Sequence, residues 1–306
     1  MLRAPDSKVN RPQAPEWMAL PERSNKLALQ IIVWVAMFLG RPAARLLLYP
    51  ICLYFLMFST TPRAASRQYL GRVLGRKAGM TDAFRHYHTF AATILDRLYL
   101  LREQFSRFDV HVHGSGIVEE LIAAGKGCVL LGAHIGSFEI IRSAGRTRGF
   151  KVSMVMYEEN ARKTGEVFEA INPALQMEVI GLGKVDSMLK VEAALARGEF
   201  VGMLADRTIK GGGTVSCPFL GEQAAFPAGP IRIAAMLKRP IALMFGIYRG
   251  GNRYEVHFER LAMPDQIDSR ERDSMTGHLL RSYAERLEHY CRLAPYNWFN
   301  FYDFWR

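Results

Sequence analysis

The chain opens on two apolar runs set in a basic background. Leu27–Leu39 reads LALQIIVWVAMFL and Leu46–Phe58 reads LLLYPICLYFLMF, each about 13 residues long. A straight helical span needs about 20 apolar residues. The interruption, Gly40-Arg41-Pro42-Ala43-Ala44-Arg45, places two arginines between the runs. Two arrangements follow. One is a helical hairpin entering one leaflet with the arginines snorkelling to headgroups; the other is a single tilted span with a flanking helix. A pair of buried core helices is the alternative to membrane attachment. A cleaved leader fits poorly, because about 26 mostly polar residues precede the first run.

Beyond the runs the rhythm is helical, then mixed. Arg63 to Lys77 suggests a basic amphipathic helix, and Thr81 can cap the next one. Phe84, Tyr87, Phe90, Ala91, Ile94, Leu95, Leu98 and Leu101 recur at spacings of three and four, a helical stripe. Short apolar runs then appear at Cys128–Leu131, Val152–Met156, Phe200–Leu204 and Ile241–Phe245. Helical stretches separate them near Ile117–Ala124, Phe138–Thr147, Asn160–Ile171, Ser187–Ala196 and Pro230–Leu237. Arg253–Glu259 alternates like a strand, and a long helix is expected over Arg270–Arg292. Alternating strands and helices predict an α/β fold: a central, mostly parallel sheet flanked by helices, behind an amino-terminal hydrophobic helical membrane anchor. The expected division is a polar tail over 1–26, a membrane-associated basic and apolar segment over 27–80, and an α/β domain over 81–306.

Charge sharpens the amino-terminal reading. The 306-residue chain carries a formal charge of +11, and 16 of its basic residues against 7 acidic ones lie before His111. No acid occurs between Glu22 and Asp82. Such a zone needs an anionic partner. Because apolar runs interrupt it, and no zinc-finger or RNA-recognition sequence is visible, an anionic membrane surface is expected and nucleic acid is not. The four cysteines stand far apart without a Cys-x-x-Cys pair, so a zinc site or disulfide framework is not expected.

The informative stretch is Val129-Leu130-Leu131-Gly132-Ala133-His134-Ile135-Gly136-Ser137-Phe138-Glu139. A buried strand ends at Gly132, a helix starts near Ser137, and His134 sits between them. Ligands of open α/β sheets bind at such carboxyl ends. Gly132 and Gly136 let the backbone approach a substrate closely. Glu139, five residues on, can fold back to one imidazole nitrogen, leaving the other to take a proton from an attacking hydroxyl. Ser137 lacks the Gly-x-Ser-x-Gly frame of a nucleophile elbow. His111 and His113 alternate on one strand face without a carboxylate or cysteine at matching spacing, and no metal or cofactor is expected. His86 and His88 point in different directions from their helix and read as core or solvated groups. Gly211-Gly212-Gly213-Thr214 lacks the lysine of a phosphate loop and reads as a hairpin over the site.

His134-Ile-Gly-Ser-Phe-Glu139 resembles the His-x4-Asp/Glu motif of the lysophospholipid acyltransferase superfamily, and GAHIGSFE looks most like the GHFGNWE-type string of the late lipid A acyltransferases, the lauroyl and myristoyl transferases. Met203-Leu204-Ala205-Asp206-Arg207 sits where that family has a strand ending in Asp-Gln or Asp-His. Pro218-Phe219-Leu220-Gly221, followed by Phe226-Pro227-Ala228-Gly229, looks like its Phe-Phe-Gly and small-residue-Gly block. The similarity runs over roughly Gly114 to Trp305. It implies a membrane-bound enzyme moving a fatty acyl group from acyl carrier protein or coenzyme A to a hydroxyl of a lipid or glycolipid, on the cytoplasmic face of a bacterial inner membrane. His134 would be the base and Glu139 its partner, with Asp206, Arg207, Gly136 and Ser137 forming the substrate site, and Phe219, Gly221 and Pro227 shaping the acyl cleft. Two stretches depart from the lipid A pattern. Val179–Asp186 carries only Lys184 where the family has several basic residues, and Pro295–Trp305 is more aromatic and less basic. The latter is similar to acyltransferases of aryl polyene or glycolipid pathways. A basic membrane-surface scaffold without catalysis is the competing reading.

Overall fold

The structure is a computed structural model that describes residues 34–141, 143, 145, 149–157, 171–172, 178–183, 186–208, 212–261 and 272–305. The polar tail, most of the first apolar run, most of the expected helix over Asn160–Ile171, and Lys184 and Gly211 lie outside the described residues.

Three helices lead into the sheet: α1 (Gly40–Phe58), α2 (Thr60–Leu74) and α3 (Met80–Leu101). The expected interruption over Gly40–Arg45 is not a loop. The chain turns once, at Leu39 and Gly40, where Gly40 takes a positive φ of 81°, and Arg41 to Arg45 then form the first turn of α1. Pro42 is tolerated there because first-turn N–H groups need no helical partner. Ala44, Leu48, Cys52 and Leu56, spaced four apart, are buried, while Leu46, Tyr49, Leu53, Tyr54, Met57 and Phe58 are exposed. Among the described residues α1 is the one helix long and apolar enough to cross a membrane by length and composition. The arginines do not snorkel. Arg41 makes a two-pronged bond to the fully buried Asp96 of α3 at 2.6 and 2.8 Å, and Arg45 bonds the Tyr248 hydroxyl at 2.7 Å. Tyr254 donates to Asp96 as well, at 2.9 Å. Other members of the basic zone are also bonded within the protein: Arg72 with Glu222, Arg76 with Asp82, and Arg63 with the carbonyl of Leu56.

The start of α3 differs from expectation in one detail. Gly79, not Thr81, is its cap, and the Asp82 carboxylate accepts the Gly79 N–H at 2.9 Å. An acidic side chain at the third helical position satisfies an N–H that the helix cannot and complements the positive end of its dipole.

The remaining elements are β1 (Asp109–His113), α4 (Ser115–Ala123), β2 (Cys128–Gly132), β3 (Val152–Tyr157), β4 (Val179–Leu182), α5 (Ser187–Ala196), β5 (Phe200–Leu204), β6 (Thr214–Phe219), β7 (Glu222–Pro227), α6 (Gly229–Met236), β8 (Ile241–Gly250), β9 (Arg253–Leu261) and α7 (Arg272–Leu293). Seven strands form one sheet in the order β1-β9-β8-β2-β5-β3-β4. Every pairing is parallel except β8 with β9, which a short turn joins as an antiparallel pair. The α/β fold with a mostly parallel, helix-flanked sheet is therefore as the periodicity predicts. β2 is buried at all five positions, as a central parallel strand covered on both faces must be. In β9, buried residues alternate with partly exposed ones along most of the strand.

β6 and β7 form a separate antiparallel hairpin, which the apolar pattern did not reveal. Its two-residue turn, Leu220-Gly221, has both φ values positive, at 50° and 86°. That matches the right-handed twist of the flanking strands and explains a glycine at 221.

Candidate active site

β2 and β5 are adjacent and parallel, with Gly132 opposite Leu204. Two residues further along each strand, His134 and Asp206 must emerge side by side. The Ala205 N–H still bonds the Gly132 carbonyl at 3.0 Å, extending the register beyond the strands. Asp206 then holds His134 twice: Oδ2 accepts the backbone N–H of His134 at 2.8 Å, and Oδ1 lies 2.8 Å from Nδ1 of its ring. A third donor, the indole N–H of Trp298, reaches Oδ2 at 2.9 Å. Asp206 is 2% exposed, whereas the His134 ring retains 30%.

Electrostatics define the protonation state. Burial pushes the His134 pKa down, assisted by the Arg207 guanidinium and, less strongly, by Arg97, against the pull of Asp206. Burial would raise Asp206, but the adjoining His134, Arg207 and the backbone N–H outweigh it and hold the carboxyl at about 2. Near pH 7 the pair is therefore a carboxylate and a neutral imidazole. Nδ1–H donates to Asp206, which directs the Nε2 lone pair outward. Among the described residues Nε2 has no hydrogen-bond partner.

Glu139 does not occupy the place that the sequence suggests. No hydrogen bond joins it to His134. Its carboxylate, 4% exposed, lies 2.7 Å from Nε of Arg97 on α3, and Oε2 accepts from the Ser137 hydroxyl at 3.1 Å. The backbone explains the separation. After His134 the chain crosses toward β8, on the opposite flank of β2 from β5. Gly136 N–H bonds the Asn297 carbonyl and Ser137 N–H bonds the Gly246 carbonyl, both at 2.8 Å. The crossing is so close that a Cβ on Gly136, whose φ is +57°, would stand 1.8 Å from the Gly246 oxygen. Glu139 is thus carried to the α3 side while Asp206 rises from β5.

The carboxyl-terminal segment closes the site from behind. Ile135 and Trp298 form an antiparallel bridge, and Phe299 N–H bonds the His134 carbonyl at 2.7 Å. Asn297 bonds both the N–H and the carbonyl of Tyr248 on β8. Trp298, fully buried, is contacted edge-on by Tyr69, Phe219 and Phe304, with ring centroids 4.9–5.2 Å apart. The final aromatics are largely core.

The other expected site residues divide into two groups. Arg207 lies beside the pair, its guanidinium donating to the Phe299 carbonyl at 3.1 Å and standing 5.9 Å from the Tyr302 ring. Phe219 is buried among Trp298, Trp305, Phe226 and Phe304, Gly221 forms the hairpin turn, and Pro227 ends β7 opposite Thr214. Of these three, Phe219 alone belongs to the aromatic layer around Trp298, whose indole reaches Asp206. Arg97, Asn297 and Trp298 were not singled out from sequence. The density of aromatic residues in Pro295–Trp305 was the only signal for the last two.

His111 pairs with Asp109 at 3.0 Å. His113, Glu255 and His257 are, among the described residues, the one group whose ligand atoms converge, within 4.8 Å. Glu255 already bonds Arg249 at 2.8 Å, and the two imidazoles stack 4.5 Å apart at 10°. Such parallel rings do not aim their in-plane lone pairs at a common point.

No curated protein matches the sequence. The family model for the bacterial lipid A biosynthesis acyltransferases matches residues 19–306. A match of that extent, over a site whose imidazole and carboxylate emerge from adjacent strands, makes this chain a member of the bacterial lipid A biosynthesis acyltransferase family, and an acyltransferase.

Proposed function

We propose that the protein transfers a fatty acyl group from a thioester of acyl carrier protein or coenzyme A to a hydroxyl of a lipid or glycolipid acceptor. The observation that carries the reading is the His134–Asp206 pair: a neutral imidazole oriented by a buried carboxylate and partly open to solvent. Nε2 of His134 removes the proton from the acceptor hydroxyl as its oxygen attacks the thioester carbonyl. Asp206 stabilises the imidazolium that forms. The tetrahedral intermediate then collapses, and the thiolate leaves with a proton supplied by His134. General base assistance of this kind contributes about 10²–10⁴-fold. Arg207, close enough to depress the His134 pKa, is suited to balance the developing oxyanion. Glu139, held by Arg97 and Ser137, has a different role from the one its spacing suggests: it fixes Arg97 at the rim and stiffens the His134 loop.

The reading places the protein on the cytoplasmic face of the inner membrane. Its support is the exposed apolar face of α1, formed by Leu46, Tyr49, Leu53 and Met57; Phe90 and Ile94 on α3 are also exposed. Phe90, Ile94 and Arg97 lie four and three residues apart, so they share one helix face. That face leads from apolar surface to Glu139, a route for an acyl chain. The departures of the middle strand and the carboxyl end from the lipid A pattern favour a glycolipid or aryl polyene lipid over lipid A as acceptor.

The test is mass spectrometry of lipid extracts from cells expressing the wild type or His134→Ala, with membrane levels of the two proteins matched. One lipid species should lose the mass of a single acyl chain in the variant. Identical lipid profiles, with the wild-type enzyme active, would contradict the proposal.

A further inference from the structure

We propose that Trp298 is a positioning residue for acyl transfer, acting through the orientation of Asp206. The inference rests on the proposed role of His134 as base.

Three donors converge on the Asp206 carboxylate. Oδ1 accepts from the imidazole, and Oδ2 accepts from both the His134 backbone N–H and the Trp298 indole N–H. A carboxylate with one donor can rotate about its Cβ–Cγ bond and still keep it. With Oδ2 occupied from two directions, rotation breaks at least two bonds in a site that water reaches poorly, so Oδ1 stays aimed at Nδ1.

The indole can serve this purpose because it is itself immobile. Its ring is fully buried and enclosed by Tyr69, Phe219 and Phe304. Its backbone is tied on both sides of the carbonyl. The Phe299 N–H bonds the His134 carbonyl, and the Trp298 carbonyl accepts from Nε2 of His86 at 2.8 Å. Nε2 must be the protonated nitrogen of that buried imidazole, so Nδ1 accepts from the Ser66 hydroxyl at 2.8 Å. Ser66 lies on α2 and His86 on α3. One residue thus joins both amino-terminal helices to the carboxylate that orients the base. If Trp298 served only to fill volume, another large aromatic ring would do. What Phe cannot supply is the N–H.

The test is kinetic. Wild type, Trp298→Phe, and a variant with β-(3-benzothienyl)alanine at 298, which keeps the bicyclic shape without the donor, are assayed with dodecanoyl and tetradecanoyl thioesters of acyl carrier protein and coenzyme A. The acceptor is total bacterial lipid extract in mixed micelles, between pH 5 and 9. Both variants should lose about 10–100-fold in kcat, the size expected when a catalytic group is displaced by a fraction of an ångström to one ångström. KM for the thioester should change less than about twofold, since no substrate contact is altered. Without the indole donor, Oδ2 is less stabilised as an anion and draws the His134 proton more strongly. The acid limb of the rate profile should therefore move to higher pH. The loss should also be non-additive with Asp206→Asn: the double variant should be within about twofold of Asp206→Asn alone.

Wild-type kcat and an unmoved acid limb in the benzothienyl variant would overturn the inference, as would full additivity with Asp206→Asn. His134→Ala separates the two levels. If it is inactive while the benzothienyl variant is unimpaired, only the role of Trp298 fails; if it is fully active, the base reading fails and this inference with it.

Discussion

The two flanks of β2 hold two buried carboxylates in opposite company. On the β5 flank, Asp206 faces an imidazole, a backbone N–H and an indole N–H. On the β8 flank, Glu139 faces the Arg97 guanidinium and a serine hydroxyl. Both are almost completely removed from water, at 2% and 4% exposure. A carboxylate next to a neutral imidazole stabilises the charge that appears when the imidazole takes a proton. A carboxylate already matched to a guanidinium has little left to offer and serves as a strut. Burial and sequence spacing do not distinguish these roles; the identity of the nearest donor does.

The largest expected effect belongs to His134→Ala. Loss of the base should lower transfer by about 10³–10⁴-fold, in a protein with unchanged circular dichroism and membrane content. Asp206→Asn should follow. The amide can still accept a hydrogen bond, but it cannot stabilise an imidazolium, and steady-state assays should find kcat down by about 10²–10³-fold. Retention of more than a tenth of wild-type kcat would place the orienting group elsewhere.

Stability predictions come next. Burial lowers the pKa of His86 from its ordinary value near 6.5 to about 4, despite the Trp298 carbonyl. The unfolded chain therefore binds a proton between those values while the folded protein does not. Stability is intact above pH 6.5, falls as the pH drops from 6.5 toward 4, and levels off below. The loss is on the order of 3 kcal/mol. Denaturant titrations over that range should reveal it, and His86→Gln should flatten the slope. Gly136→Ala should cost a similar amount, about 3 kcal/mol, because the added Cβ strikes the Gly246 carbonyl and the backbone is left-handed there. A melting temperature within 2 °C of wild type, roughly the effect of 1 kcal/mol in a chain of this length, would contradict the close crossing.

How far the sequence led is clearest on these same flanks. Continuous apolar runs located β2, β5 and β8, and spacings of three and four located the stripe of α3, because those elements bury continuous or regularly spaced apolar faces. His134 was legible for the same reason: it follows the last buried residue of a strand. Its partner was not. Residues 134 and 206 meet because β2 and β5 are neighbours in register, and strand order is a long-range property that local periodicity does not carry. The Asp-Arg pair after β5 was visible as family resemblance, yet the short spacing of Glu139 drew the pairing to it. Arg41 and Arg45 misled in a related way. Charges amid apolar runs suggested headgroups, whereas Asp96 and Tyr248, distant in sequence, hold them. The β6–β7 hairpin was missed because its strands mix polar and apolar positions and contain Pro218.

The smallest expected effect closes the comparison. Glu139→Gln should lower kcat by about tenfold or less, by loosening Arg97 and the loop while leaving the imidazole oriented. The most direct measurement of the central claim is therefore the ratio of kcat for Asp206→Asn to kcat for Glu139→Gln, under saturating thioester at one pH near neutrality. Glu139→Gln should be at least about tenfold faster. The opposite order, with Asp206→Asn nearly unimpaired and Glu139→Gln inactive, would show that the carboxylate on the β8 flank orients the base in the working enzyme.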